Sequence, residues 1–245
     1  MILPEPHIFV SIIAHEIKLF TNLALITMPI RAIMFDLDGT LIDQFEAIYR
    51  AFSRVITSMG FPTPSFDTVK RAVGGASDTT MTKLIGEENS QEAVRRLRPI
   101  FEEEMFTGLH ALPGAEMVLR LCQKKGIPTA VLTNKHGPHA RAVCDHLNFS
   151  EYLLFTMGAN DTEWKKPNPK LSHLALTKLG FQPAETLYVG DSPYDFKTAE
   201  LGGMECALVA TGTHTLEELK TLQCDTVTEN LSELVETRLA YALLT

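Results

Sequence analysis

A chain of 245 residues, 45% hydrophobic and 21% charged, can bury one large core or a core with a smaller insert. Its net charge of −8 argues against a broad nucleic-acid or anionic-membrane surface, although a local cluster of donors can still hold a small anion. Cys122, Cys144, Cys206 and Cys224 form no Cys-x-x-Cys pair and read as reduced core residues of a cytoplasmic protein. The histidines show no His-x-x-x-His or His-x-His spacing, so a zinc site is not expected.

Residues 1–28 are apolar but broken by Glu5, His7, His15, Glu16 and Lys18. The uncharged run that follows is too short to span a bilayer, and neither a basic start nor a cleavage site marks a signal peptide. We read this stretch as an appendage to a domain that starts near Met28. An amphipathic partner helix or membrane-surface helix is the alternative.

The domain opens with an apolar, β-prone run that ends in Asp36-Leu37-Asp38-Gly39-Thr40. In an extended chain Asp36 and Asp38 share a face while Leu37 packs oppositely. Gly39 lets the backbone turn away where the acids are presented. Two like charges at the tip of a buried strand call for a neutraliser, and a hard divalent cation such as Mg²⁺ suits oxygen ligands.

Apolar residues then recur at helical spacing over 44–59, and further helices are predicted near 65–73, 78–85 and 91–106. Gly74-Gly75 forms a joint among them. The region 44–109 therefore reads as an all-helical insert. After Pro113-Gly114 an α/β rhythm begins, with strands predicted near 127–132, 152–157, 186–189, 206–209 and 225–227 and helices between them. Such alternation implies a doubly wound, mostly parallel sheet covered on both faces, a Rossmann-like α/β core.

Asp36-Asp38, Thr133-Asn134 and Asp191 all fall at carboxyl ends of predicted strands, and Lys166 lies in a loop following one. In an open α/β sheet that edge is the ligand crevice. Taken singly, Thr-Asn is an ordinary helix cap, Lys-Pro an ordinary loop and Gly-Asp-Ser an ordinary turn; their convergence is the argument. A carboxylate such as Asp36 can attack phosphorus, and Asp38 can act as acid and then base. Thr133 and nearby amides can bind phosphoryl oxygens, Lys166 can balance charge, and Asp191 can complete a metal site. Asp195 either orients Asp191 or a metal-bound water, or caps the next helix. Lys135 and His136 either face the substrate or are exposed loop residues.

Asp36-Leu37-Asp38-Gly39-Thr40, Thr133-Asn134, Lys166-Pro167-Asn168-Pro169 and Gly190-Asp191-Ser192-Pro193-Tyr194-Asp195 resemble the four ordered motifs of the haloacid dehalogenase superfamily. The resemblance covers about 29–213, and Thr133-Asn134-Lys135 with the later motifs is similar to phosphoglycolate phosphatases. It implies Asp36 as nucleophile, Asp38 as acid/base, and Mg²⁺ held by Asp36, the Asp38 carbonyl and Asp191. It also implies phosphate held by Thr133, the Asn134 amides, Lys166 and the Gly39 turn. Residues 44–109 would be a small cap on a core formed by 29–43 and 110–245, with Arg71, Gly74 and Gly75 where substrate choice would reside. Gln44 and Gly212-Thr213-His214 depart from the family pattern and bear on the leaving group.

The expected activity is therefore Mg²⁺-dependent hydrolysis of a small phosphate monoester by a monomer or homodimer, with no nucleic-acid or membrane partner. A sugar-phosphate mutase of the same superfamily would share every chemical residue. A phosphoacceptor signalling module also uses Asp, Thr and Lys on such a sheet, but has no use for an adjacent acid/base or a lid.

Overall fold

The computed structural model describes residues 30–224 and 226–239, so the appendage expected at 1–28 lies outside the described residues. The main sheet is built from β1 (Ala32–Phe35), β4 (Thr129–Leu132), β5 (Leu153–Met157), β6 (Thr186–Gly190), β7 (Glu205–Val209) and β8 (Thr226–Thr228). Their spatial order is β5-β4-β1-β6-β7-β8, and every pairing is parallel. Each residue of β1 is buried, as expected of a central parallel strand covered on both faces.

The period of two is visible in what those residues touch. Ile33 and Phe35, continued by Leu37, belong to one hydrophobic cluster, while Ala32 and Met34 belong to the cluster on the opposite face. Helices α5 (Ala115–Lys125) and α6 (Gly137–His146) contribute to the first cluster, and α7 (Pro169–Leu179) and α8 (Pro193–Gly202) to the second. The order places β1 between β4 and β6, so the chain ends following all three strands open on one crevice.

Between β1 and α5 the chain forms α1 (Phe45–Ser58), α2 (Phe66–Ala72), α3 (Ser77–Ile85) and α4 (Glu87–Glu104). The buried face of α1 carries Phe45, Ile48, Phe52, Val55 and Ile56, which join Met81, Leu97 and Phe101 in a third cluster of their own. Helix α4 begins earlier than its apolar spacing suggests, because Gly86 breaks α3 and Glu87 and Glu88 sit favourably at the new N-terminus. Both passages of the chain between the helices and the core run through a short antiparallel ribbon, β2 (Ile42–Asp43) against β3 (His110–Ala111). Neither strand was expected. Two residues are too few to display alternation. Helix α9 (Leu216–Lys220) was also unforeseen, although Thr215 and Glu218 form a capping box there.

Among the described residues no helix is long and apolar enough to cross a membrane. Phe35→Ala should expose how far stability rests on the central strand, since Phe35 has no solvent exposure. Unfolding in urea should show a loss of roughly 3–5 kcal/mol; a loss below about 1 kcal/mol would place the packing weight elsewhere.

Candidate active site

Strand β1 delivers Asp36 to the crevice, where its Oδ1 accepts from Lys166 Nζ at 2.7 Å. Lys166 also donates to Asp195 Oδ1 at 2.7 Å and to Tyr188 OH at 2.9 Å. The Tyr188 hydroxyl donates in turn to the Leu132 carbonyl at 2.8 Å, tying the cluster to the end of β4. Burial works against the Lys166 charge, but Asp195 and Asp36 outweigh it and hold the ammonium well above its ordinary pKa. Burial pushes the Asp36 carboxyl up to about 6; Lys166 opposes that rise and Asp195 adds to it.

Asp191 follows β6 and is 2% exposed. Its Oδ2 accepts from Thr213 N at 2.9 Å and Thr213 Oγ1 at 3.3 Å, and its Oδ1 faces Thr40 Oγ1 at 3.5 Å. These donors are all neutral, and burial, reinforced by Asp195 and Asp36, raises the Asp191 pKa well above the carboxylate range. Carboxylate oxygens of Asp36, Asp191 and Asp195 lie within 4.8 Å of one another. Three buried acids facing one lysine suit a hard divalent cation with oxygen ligands.

Asp195 is the least available of the three as a ligand. Its Oδ1 is engaged by Lys166, and its Oδ2 accepts from Ser192 Oγ at 2.6 Å, Ser192 N at 3.1 Å and Asp191 N at 3.2 Å. Two of the roles weighed for Asp195 are thus realised together: it caps α8 and fixes the backbone that presents Asp191. The turns on either side are sterically closed. A Cβ on Gly212 would lie 1.8 Å from Asp191 Oδ2, and one on Gly39, already at φ +84°, would lie 2.9 Å from the same carboxylate.

After β4, Thr133 Oγ1 accepts from Lys135 N at 3.2 Å, which leaves its hydroxyl hydrogen to donate elsewhere. Asn134 Oδ1 accepts from Lys166 N at 2.9 Å, while its Nδ2 donates to the Lys166 carbonyl at 3.2 Å and to the Gly74 carbonyl at 3.1 Å. The Asn134 side chain therefore holds the Lys166 loop and touches the helical layer. Lys135 is no exposed loop residue: its Nζ pairs with Asp38 at 3.0 and 3.1 Å and lies 4.8 Å from the centre of the Phe101 ring on α4. Asp38 thus lies outside the three-acid cluster, its side chain oriented by Lys135.

Between the core and helices α1, α3 and α4 lies a cavity of about 230 Å³, which Asp36, Asp38, Thr133, Asn134, Gly74 and Gly75 line. Arg71 departs from expectation. It reaches Glu218 at 3.0 Å and the Thr213 carbonyl at 2.9 Å, outside the cavity wall, and so clasps α2 to the core instead of facing a ligand. The structure therefore does not bring Arg71 to the cavity with Gly74 and Gly75. Gln44 is buried, its Nε2 donating to the Met105 carbonyl, a structural contact at the base of α1. Tyr188 was missed by the sequence reading, being indistinguishable there from an apolar strand residue.

The sequence profile described as haloacid dehalogenase-like hydrolase matches residues 33–209. A phosphoglycolate phosphatase of Yersinia pestis is 29% identical over 213 residues, covering 84% of this chain and 92% of the relative. One from Photorhabdus laumondii is 29% identical over 216 residues, covering 85% and 92%. Among solved structures, a haloacid dehalogenase-like family hydrolase from Streptococcus pneumoniae superposes with a TM-score of 0.76 at 23% identity, covering 87% of this chain and 98% of that one. The motif order, the sheet order and the matched span agree, and the chain belongs to the haloacid dehalogenase-like hydrolases.

Proposed function

We propose that the protein is a cytoplasmic, Mg²⁺-dependent phosphatase that hydrolyses a small phosphate monoester through an aspartyl-phosphate intermediate. The observation that carries this reading is the buried contact of Asp36 with Lys166 at 2.7 Å, beside two further acids and within reach of the same cavity as Asp38. The likeness to phosphoglycolate phosphatases at 29% identity supports a small phosphorylated acid as the substrate class.

In the first step an Asp36 oxygen forms a bond to phosphorus and the bond from phosphorus to the ester oxygen breaks. Asp38 gives its proton to the departing alkoxide, which leaves as the alcohol. In the second step Asp38 takes a proton from water, whose oxygen attacks phosphorus and frees both inorganic phosphate and the Asp36 carboxylate. Lys166 and the Thr133 hydroxyl hold negative phosphoryl oxygens, with the Asn134 and Gly39 backbones shaping the cradle. Asp36, the Asp38 carbonyl and Asp191 would hold Mg²⁺, which when bound supplies charge neutralisation at the phosphoryl oxygens. Residues 44–109 act as a lid that excludes water, and 29–43 with 110–245 act as the catalytic core.

Two measurements test this. Asp36→Asn should abolish Mg²⁺-dependent phosphate release from small esters, because an amide cannot form the acyl phosphate; release at wild-type rates would reject the mechanism. Gly212→Ala should weaken Mg²⁺ binding roughly ten- to hundredfold by calorimetry, because the added methyl displaces Asp191. Unchanged affinity would remove Asp191 from the metal site. Free phosphate as product, instead of an isomerised sugar phosphate, separates the phosphatase from the mutase alternative.

A further inference from the structure

The cavity lining includes residues that the phosphoryl-transfer scheme does not use. Phe52 from α1 and Leu97 and Phe101 from α4 form apolar wall, and Arg98, His136 and His139 join the lining. The cations on this lining differ in how they are matched. Lys135 pairs with Asp38, and Lys165 pairs with Asp78. Arg98 has no ion pair or hydrogen bond among the described residues, yet its charge acts on both imidazoles. A cation on a ligand cavity with no internal partner is a position where an anion gains a charge-assisted contact at little desolvation cost.

His136 lines the same cavity with part of its ring. His136 Nδ1 is buried and has no hydrogen-bond partner. Its ring packs edge-on to His139 at 4.5 Å, and His139 is held by Glu102 of α4 at 3.3 Å. Burial pushes the His136 pKa down to about 4, with His139 and Arg98 adding to the fall, so the ring is neutral at pH 7. With Nδ1 shut off from solvent, the neutral ring can offer a ligand only its Nε2–H, which donates a hydrogen bond without adding charge. Volume also bears on the ligand. At roughly 10–15 Å³ of such space per water molecule, the cavity of about 230 Å³ far exceeds what a phosphoryl group with a two-carbon acid would fill.

We infer that Arg98 and His136 form a leaving-group subsite for a phosphate monoester that carries a second anionic group, separated from the ester oxygen by an apolar spacer longer than one carbon. The spacer lies against Phe52, Leu97 and Phe101, and the remote anion meets Arg98 on α4. This rests on the phosphatase reading above and adds the substrate's shape and charge to it. Arg98 is a specificity residue in this scheme, with no part in bond making.

The test compares kcat/KM with Mg²⁺ for three esters: 4-phosphonooxybutanoate, its isosteric amide 4-phosphonooxybutanamide, and phosphoglycolate. The full-length wild type should prefer the butanoate to its amide by about tenfold, the low end for a charge-assisted contact at a partly exposed arginine, and should prefer it to phosphoglycolate. Arg98→Ala should bring the acid-to-amide ratio close to one, and Arg98→Lys should restore part of it. Arg98 is exposed on α4, so neither change threatens the fold. An acid-to-amide ratio unchanged in Arg98→Ala, or a wild type that favours phosphoglycolate over the butanoate, overturns the subsite while leaving the phosphatase standing. Hydrolysis of none of the three overturns both.

Discussion

A single buried ammonium organises the site. Lys166 sits with its side chain 2% exposed and is shared among Asp36, Asp195 and Tyr188. A lysine so deep is tolerable only when several oxygens meet it in good geometry, because each unmatched buried charge costs several kcal/mol. Every neighbouring element serves that requirement. Asn134 brackets the Lys166 backbone, Tyr188 comes up from β6, and Asp195 from the first turn of α8. The Asp36 carboxylate is thereby fixed from one side.

The same economy governs the acids. Asp195 resembles a metal ligand by distance but is consumed by four donated contacts, whereas Asp191 has only neutral partners. Proximity alone would treat the two alike. Counting the bonds each oxygen already makes separates an anchoring carboxylate from one left to meet a cation. Asp38 is set apart in a third way, by its pairing with Lys135, so three aspartates of similar sequence setting occupy three different electrostatic circumstances.

Much of this was legible from residues alone, because the informative signals were long or chemically unusual. The apolar runs before Asp36, Thr133 and Asp191 are strands, and the face parity of Leu37 against Asp36 holds in the core clusters. What escaped was either short or ambiguous. The β2–β3 ribbon has two residues per strand, Tyr188 looks like any strand residue until its hydroxyl is seen to bond, and Arg98 cannot be told from Arg95 and Arg96 by sequence. The structure separates those three, since Arg95 and Arg96 both pair with Glu92 while Arg98 turns to the cavity. For Arg71 the missing signal was long-range: a cation near Gly74 invites a ligand role, and only the position of Glu218 on a helix distant in sequence reveals its partner.

The Asn134 carboxamide joins both walls of the cavity, but unequally. Two of its three bonds go to Lys166 in the core and one goes to the Gly74 carbonyl. Outward movement of the helices would break only the last, and the loop carrying Lys166 would keep its shape. The core wall is therefore the braced one, and the helical wall is tied to it by separate side-chain contacts: Asn134 to Gly74, Arg71 to Glu218, Glu102 to His139 and Asp78 to Lys165.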